Sequence, residues 1–449
     1  MNKIKIRKGH SIRIAGIPSQ EVMSINCNKL GLQPTDFHYI KPKLVVKEGE
    51  FVKTGSPLFF NKENPDQVWG APGAGKVVKI QYGLRRIIEK IVIELDKAET
   101  GYSGKQYSIR DISNLNSSEV STVISEANFW PLIRQRPFNR VVNPAEKPRD
   151  IFISAVDTAP LAPDIKLILH NQENVLQAGI SVLSKLTDDK VHFCIPSGET
   201  LDIFNGLNNC VLHQVEGPHP AGNIGIQIHH IAPLKPNEIV WTVNIQHLLI
   251  LGKLFLKGKI DNSIIIAVGG PGVKNPKHIK TRIGACIDQL VENNIKTGEN
   301  RIISGDVLTG KRSEEENCLG FYDNAVSVLP IDKSRPFLGW VQPGSVNKTY
   351  SLTRSFLSSG NKLFNFSTKQ NGSKRALVPI NAWEDVLPMD ILPNPLYRSI
   401  LAHDVEEMEQ LGILECDAED FALCSFACPS KIDLSGVIRQ GLDIMWAEK

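Results

Sequence analysis

Long hydrophobic runs are missing from this sequence, which argues against a membrane span of its own. The longest apolar stretch, residues 239–256, contains Asn244, Gln246, His247 and Lys253, whereas a spanning helix needs about 20 predominantly apolar residues. The first ten residues alternate charged and aliphatic side chains without an apolar segment, so we expect no signal peptide. Any membrane role is therefore expected to come through a partner protein.

Excess charge and paired cysteines are also scarce. Lysine and arginine total 51 against 48 aspartates and glutamates, a net charge of +3 on 449 residues, which is too small to predict a nucleic-acid partner. The eight cysteines are mostly isolated, so a reducing compartment is expected rather than a secreted disulfide framework. The hydrophobic fraction of 41% is that of an ordinary soluble globular protein, and the length predicts roughly three domains.

A ferredoxin-type cysteine run is incomplete near the end of the chain. Cys424 and Cys428, separated by three residues and followed by proline, match the closing half of the C-x2-C-x2-C-x3-C-P pattern that binds iron–sulfur clusters. The other two positions carry Ala418 and Phe421, which supply no thiolate, and Cys416 is out of register. The pattern favours buried helix cysteines over a metal site. We therefore expect Cys424 and Cys428 to be remnants of a lost cluster motif, and no metal to be bound.

The pattern along the chain predicts a multidomain fold of α/β and α+β class. Residues 1–100 contain repeated strand–glycine–strand units, which favour a β-rich, barrel-sandwich-hybrid-like domain. They resemble the biotinyl or lipoyl carriers but lack the lysine that bears the prosthetic group there. Residues 101–148 are expected to be a connector with one helix, which Asn116 and Glu119 begin as a capping box.

Residues 149–260 are predicted to form a Rossmann-like domain with a parallel sheet, because strand and helix patterns alternate. No G-x-G-x-x-G follows the first strand, and Asp157 stands where a pyrophosphate would need backbone N–H groups. The sequence therefore gives no reason to expect NAD or flavin binding. The predicted elements are strands at 151–156, 191–195, 209–215 and 239–243 and helices at 175–186 and 246–257.

The remainder is predicted to comprise a small α+β domain, a linker and a helical domain. Residues 261–345 resemble the β-grasp, SLBB-like domains that bind soluble ligands, with a strand at 263–268 and a helix carrying Ile283, Ile287 and Val291. Residues 346–378 are polar and are expected to be a linker. Residues 379–449 are expected to be a C-terminal helical domain that carries the vacated iron–sulfur motif. Its predicted helix caps are Asp404, Asp417 and Ser435.

Two glycine-containing loops are the candidate ligand sites. In the loop at 217–225 the glycines allow close backbone approach, and His219 can donate a hydrogen bond to a carbonyl oxygen of a bound ring. The turn at 269–272 is a second candidate. For each loop the sequence favours a tight structural turn over a ligand site, and no catalytic set can be assembled from the spacing. The candidate ligand-binding residues are His219, Gly222, Gly225, His229, Gly269, Gly270 and Gly272.

Five motifs, in the same order along the chain, resemble those of the NqrA family, the A subunit of the bacterial sodium-translocating NADH:quinone oxidoreductases. They are Gly217-Pro-His-Pro-Ala-Gly, Ile303-Ser-Gly-Asp-Val-Leu-Thr-Gly-Lys, Val378-Pro-Ile, Leu387-Pro-Met-Asp-Ile-Leu-Pro and Leu423-Cys-Ser-Phe-Ala-Cys-Pro-Ser-Lys431. The departures are Ser430, where the family usually has glycine, and Asn394-Pro395, where leucine is common. The family is related to RnfC of the Rnf complexes and to the flavoprotein subunit of complex I, which carry clusters.

The resemblance implies a peripheral subunit on the cytoplasmic side of the bacterial inner membrane, bound chiefly to NqrB, the integral membrane protein of the complex. The complex passes electrons from NADH to ubiquinone and exports sodium, using FAD, FMN, riboflavin and iron–sulfur centres on other subunits. This chain is expected to bind no cofactor and to hold no complete catalytic centre.

Three alternatives stay open. Quinone contact, if it occurs, is expected at the 217–230 loop through His219, or that loop shapes a subunit interface instead. The chain could also be a free-standing β-grasp ligand-binding module, or an electron-transfer subunit of an Rnf-like complex.

Overall fold

The computed structural model describes residues 2–97, 100–198, 202–314, 316–334, 337–338, 350, 352 and 362–448. Within them, twenty strands form four sheets. In chain order they are β1 (Asn2–Lys5), β2 (Ser19–Ser24), β3 (Lys29–Leu32), β4 (Pro42–Leu44), β5 (Phe51–Val52), β6 (Pro57–Asn61), β7 (Asn64–Gly70), β8 (Gly75–Tyr82), β9 (Ile88–Leu95), β10 (Ile133–Arg136), β11 (Arg140–Val141), β12 (Asp150–Ser154), β13 (Val191–Pro196), β14 (Val211–Glu216), β15 (Val240–Asn244), β16 (Ser263–Gly269), β17 (Lys277–Arg282), β18 (Asn300–Ser304), β19 (Lys311–Arg312) and β20 (Ala325–Pro330).

The same residues form eleven α-helices. They are α1 (Ile109–Asn114), α2 (Ser117–Glu126), α3 (Ile165–Leu169), α4 (Glu173–Leu183), α5 (Ile224–Ile231), α6 (Ile245–Lys257), α7 (Ile287–Leu290), α8 (Pro393–Ala402), α9 (Val405–Gln410), α10 (Ala422–Ala427) and α11 (Leu434–Ala447). Among the described helices, none combines the length and the apolar character that crossing a membrane requires.

A seven-stranded sheet, in the order β1-β14-β13-β12-β15-β10-β11, forms the centre of the molecule. The pairs from β1 to β15 are parallel, which confirms the βαβ prediction, and β10 and β11 add an antiparallel edge. Strands β13 and β15 flank β12 on opposite sides. The chain therefore reverses its direction across the sheet at β12, and ligands of open α/β sheets bind at the carboxyl ends of strands at such a point.

Helices α4 and α6 pack closely because glycines stand at their contact. A Cβ at Gly252 would lie 2.2 Å from the Val175 carbonyl oxygen, and one at Gly179 would lie 2.7 Å from that of Leu248. Asn244 caps α6 by accepting a hydrogen bond from the Gln246 N–H. These helices cover one broad core that extends into the six-stranded sheet.

The six-stranded sheet has the order β19-β18-β20-β16-β17-β2. The predicted helix is confirmed only in part, because α7 spans the four residues Ile287–Leu290 and Ile283 lies in the turn that follows β17. The chain must turn after β17, where Gly284 has a φ of +75° and a Cβ would lie 2.1 Å from the Gly31 carbonyl oxygen. Buried residues in a turn can thus have the same spacing along the sequence as buried residues on one face of a helix.

A four-stranded sheet, β3-β9-β8-β5, and a three-stranded sheet, β4-β6-β7, enclose the N-terminal core. Residues 1–100 were predicted to form one domain, but two of their strands pair outside it. Strand β1 pairs with β14 and β2 pairs with β17, so residues 2–25 connect the three β-containing units. Part of the predicted 101–148 connector also belongs to a sheet, because β10 pairs with β15.

The C-terminal helices pack on a second core that includes Val156 and Val215 of the α/β unit. Asp404 caps α9 and Asn116 caps α2 as predicted. The prediction for Ser435 is wrong, since Asp433 caps α11 and accepts a hydrogen bond from the Gly436 N–H. Asp417 begins a 3₁₀ helix, Ala418–Phe421, that precedes α10. Residues 346–349, 351 and 353–361 of the predicted 346–378 linker lie outside the described residues, and Phe364, further along the linker, pairs with Ile14.

Candidate functional site

A cavity of about 1310 Å³ lies where the central sheet, the six-stranded unit and the C-terminal helices meet. Residues that follow β12 and β15 form one wall, the turns at 305–311 and 320–324 form a second, and residues 417–419 with Arg439 form a third. This position is the carboxyl end of β12, where the connections change direction. Fold geometry alone therefore favours this cavity as the ligand site.

His219 borders the cavity as a buried, neutral imidazole. Thr158 Oγ1 accepts the Gly222 N–H at 2.8 Å and lies 3.2 Å from His219 Nδ1, so its own proton is free to be donated to Nδ1. When Thr158 donates to Nδ1, the ring proton is on Nε2, whereas in the other tautomer Nδ1 donates and Nε2 is an acceptor. Burial lowers the pKa of His219 to about 4, which keeps the ring neutral at pH 7.

The Nε2 atom of His219 has no hydrogen-bond partner among the described residues. The side chain is only 2% exposed. A buried donor or acceptor without a partner costs about 1–3 kcal/mol, so such a group in a native fold calls for a ligand or an ordered water. His219 is therefore the residue of the site whose unpaired ring atom most needs a hydrogen-bond partner.

Carboxylates outnumber cations around the cavity. Asp157 reaches into it and accepts hydrogen bonds from Asn324 Nδ2 and the Ala159 N–H, each at 3.0 Å. Desolvation raises the pKa of Asp157, and the nearby Asp306 and Glu419 raise it further. A phosphate would meet repulsion from these groups, whereas a neutral polar ring would not. The chemistry favours an uncharged ligand.

A buried ion network holds the third wall in place. The Arg136 guanidinium on the β10–β11 turn lies 2.7 Å from Glu419, 3.4 Å from Asp417 and 3.7 Å from Asp420. Arg439 pairs with Asp417 from the other side. Because Arg136 and Asp417 are each only 3% exposed, this network fixes the start of the C-terminal helices against the central sheet.

The residues of the former cluster pattern do not fit an iron–sulfur cluster. Phe421 is fully buried in the core, and Ala418 offers only a methyl group. The Cys424 thiol donates a hydrogen bond to the Trp383 carbonyl at 3.7 Å, and burial raises the pKa of that thiol. A cluster needs deprotonated thiolates, and these contacts favour the protonated form.

Two of the predicted residues, His219 and Gly222, line the cavity, and the others do not. His229 lies 3.1 Å from Glu415 and accepts the Asp390 N–H at 3.0 Å, so it tethers the C-terminal segment. Gly225 permits the approach of Asp420, since a Cβ there would lie 2.2 Å from its carboxylate.

The three glycines of the second predicted loop form a structural turn. A Cβ at Gly269 would lie 2.7 Å from the Gly16 carbonyl oxygen, Gly270 has a φ of +109°, and Gly272 faces Asn300. None of the three is among the residues lining the described cavity. In this structure their role is backbone packing.

Sequence reasoning missed the polar residues that follow the strands. Thr158 comes just after β12, Asn244 ends β15, and Gln246 follows it. All three line the cavity. Their position in the sequence could have identified them, because polar residues that follow predicted parallel strands meet at one edge of the sheet.

Family models of NqrA match most of this chain. The model of the NqrA N-terminal barrel-sandwich hybrid domain matches residues 4–96, that of the NqrA second alpha/beta domain matches 115–260, and that of the NQRA C-terminal domain matches 265–315. Proteins named as the A subunit of Na(+)-translocating NADH-quinone reductase match nearly end to end. That of Pasteurella multocida is 39% identical and that of Tolumonas auensis 38% identical, each over 443 residues and 98% of both chains.

The chain belongs to the NqrA family. This membership confirms the predicted mixed, multidomain architecture with a barrel-sandwich hybrid, an α/β domain and the NqrA C-terminal domain. The match to full-length NqrA chains also includes the helical residues after 379, which the three family models leave out. An NAD+-reducing [NiFe]-hydrogenase structure is a weaker likeness, with 12% identity, a TM-score of 0.36 and coverage of 49% of this chain and 47% of that one; a score of this size assigns no fold.

Proposed function

We propose that this chain is the NqrA component of a sodium-translocating NADH:quinone reductase and that its cavity receives the quinone head group. The names of the relatives support the first part, and they favour it over a free-standing ligand-binding module or a component of an Rnf-like complex. The observation that carries the second part is His219, a buried neutral imidazole at the border of the cavity whose Nε2 has no partner among the described residues. The chain contributes to an enzyme without containing a complete catalytic centre.

The finer assignments belong to the same proposal. The α/β unit is a Rossmann-like domain, the six-stranded unit is of the β-grasp type, and the residues after 379 are a helical domain. The protein lies peripherally on the cytoplasmic side of the inner membrane and docks chiefly on NqrB. The iron–sulfur centres of the complex reside on other subunits, because this chain lacks the thiolates a cluster would need, and so do the flavins, because no G-x-G-x-x-G follows the first strand of the α/β unit.

A quinone head group suits the chemistry of the cavity. It is uncharged, so the acids Asp157, Asp306 and Asp323 do not repel it as they would a phosphate. Its carbonyl oxygens accept hydrogen bonds, which the Asn244 amide and the His219 ring, in the tautomer with its proton on Nε2, can donate. The chain's own residues would bind the ring, orient it and exclude water, while electrons arrive from elsewhere in the complex.

His219→Ala tests this function. We expect the dissociation constant of a quinone analogue, measured by calorimetry on the purified chain, to rise about tenfold or more, because an acceptor on the ring loses its donor. His230→Ala is the matched control, since His230 also has a lowered pKa and a single hydrogen bond, at 2.8 Å to the Pro388 carbonyl, but lies outside the cavity.

The outcome separates the two roles of the loop. Unchanged analogue affinity in His219→Ala would refute the quinone assignment. If the variant also failed to assemble with the other subunits, the loop would be an interface. Equal losses in His219→Ala and His230→Ala would point to general damage to the C-terminal docking instead.

A further inference from the structure

The hairpin between β8 and β9 exposes three large apolar side chains within six residues. Tyr82, Leu84 and Ile87 are 54%, 88% and 54% exposed. Single apolar residues on a surface are ordinary, but a group of them at one tip marks an interaction site. No described element covers this tip, which lies at the end of the N-terminal four-stranded sheet.

The tip is an ordered turn rather than a loose loop. The Gly83 N–H bonds to the Ile87 carbonyl at 2.8 Å, and the Arg86 N–H bonds to the Gly83 carbonyl at 3.2 Å. Arg85 and Arg86 adopt φ values of 55° and 60°. Two consecutive left-handed residues that are not glycine are unfavourable, so the turn holds its apolar and basic side chains outward at a conformational cost.

Arg85 and Arg86 carry positive charges that form no ion pair within the described fold. Both side chains are exposed, and neither forms an ion pair or side-chain hydrogen bond among the described residues. The neighbouring acid, Glu89, accepts a hydrogen bond from Gln81 at 3.0 Å. The tip therefore combines an apolar end with two free guanidinium groups, which prefer phosphate as a planar bidentate partner.

We propose that this tip inserts into the interface of an anionic phospholipid bilayer. Leu84 and Ile87 would enter the boundary between headgroups and acyl chains, Tyr82 would lie at headgroup level, and the arginines would pair with lipid phosphates. The unpaired positive charge favours an anionic lipid surface over a zwitterionic one or an apolar protein groove. A single tip gives weak, reversible binding, so it orients a chain whose main attachment is to other subunits.

This inference does not depend on the quinone site. It replaces the expectation from the sequence that any membrane role comes only through a partner. The N-terminal unit contributes Asp36 and His38 to the cavity lining, but no residue of the tip lines it, so a tip variant leaves ligand binding in the cavity intact, and each proposal fails or stands alone.

Flotation of the full-length chain with lipid vesicles tests the proposal. We expect binding to phosphatidylcholine vesicles that contain about one third phosphatidylglycerol, and little binding to phosphatidylcholine alone. The double variant L84S/I87S should lose at least about fivefold of this binding. R85N/R86N should lose about tenfold, and asparagine suits the left-handed backbone there.

Phe51→Ser is the matched control. Phe51 is 72% exposed on β5 of the same unit, but it pairs with Lys76 at the opposite end of β8, so its loss should leave flotation unchanged. The proposal is overturned if the native chain does not bind anionic vesicles, if the tip variants bind as it does, or if Phe51→Ser is equally impaired. Failure of vesicle binding together with failure of the tip variants to enter the assembled complex would assign the tip to a protein partner instead.

Discussion

Asp323 shows how a single residue couples the cavity to stability. Its carboxylate lines the cavity and accepts a 2.5 Å hydrogen bond from the Ser304 hydroxyl, which in turn accepts the Gly320 N–H at 2.9 Å. Burial raises the pKa of Asp323 to about 6, Ser304 opposes that shift, and the nearby Asp36 adds to it. The folded protein therefore holds a proton there that the unfolded chain, with a carboxyl pKa near 3.8, releases.

Asp323→Asn is predicted to flatten the pH dependence of stability. Between pH 4 and 6 the folded chain binds more protons at this site than the unfolded chain, so stability falls as the pH rises through that window. Replacing the Asp323 carboxyl should reduce this loss of stability by about 1–2 kcal/mol. The full pKa shift would give more, but the carboxyl faces the cavity. Urea unfolding midpoints at pH 4.5 and 6.5 measure it. An unchanged slope in the variant would mean that Asp323 ionises normally in the fold.

His219 and Phe421 show what could be predicted residue by residue. The identity of His219 as a donor was readable from the sequence, because its loop carries the glycines that permit close approach. Its lack of a partner among the described residues was not, since that depends on Thr158, 61 positions away in the chain. The missing thiolates at 418 and 421 were likewise readable, but the filling of the space by a buried phenyl ring required the packed core.

At the scale of elements, the docking of the C-terminal helices depends on one buried cation. Arg136→Leu is predicted to destabilise the protein by about 3 kcal/mol, because the buried Asp417 would lose one of its cations while keeping Arg439, and Glu419 would lose its partner. Urea unfolding and trypsin cleavage of the C-terminal helices measure the loss. Lys147→Leu is the control, since its pair with Asp188 is exposed and should contribute less than about 1 kcal/mol. Equal effects of both substitutions would show that the buried network is not what holds the helices.

Local sequence signals predicted some elements well. They failed where the structure depends on pairing between strands that are distant in the sequence. The capping box at Asn116 and Glu119 is contained in four residues, so the start of α2 was predictable. The parallel strands were also predictable, because the alternation of strand and helix patterns requires them. Nothing local says that β1 pairs with β14 or β2 with β17. The placement of Ile283 on the predicted helix was wrong for a similar reason, because burial in a turn and burial on a helix give the same spacing.

At the scale of the whole molecule, the first residues of the chain support the cavity from outside. The Ile6 N–H bonds to the Glu216 carbonyl at 2.8 Å, and the His10 N–H bonds to the His219 carbonyl at 2.7 Å. Neither Ile6 nor His10 lines the cavity. The N-terminal segment thus fixes the position of the loop that carries His219. Ligand binding in the α/β unit should therefore respond to a change near the start of the chain.

Gly9→Ala tests this coupling because the glycine has no room for a side chain. Gly9 has a φ of +125°, and a Cβ there would lie 2.3 Å from the His219 carbonyl oxygen, so alanine must push the loop aside. We expect faster amide hydrogen exchange at residues 217–222 and quinone-analogue affinity lowered about tenfold, since the donor geometry at His219 is lost. Gly49→Ala is the matched control, with a φ of +89° and no atom within 4 Å of the added Cβ, so it carries the backbone strain of about 1–2 kcal/mol without the clash. If Gly9→Ala speeds exchange in the loop while analogue affinity stays at the level of Gly49→Ala, the ligand does not depend on the position of His219, and the quinone assignment loses its geometric basis.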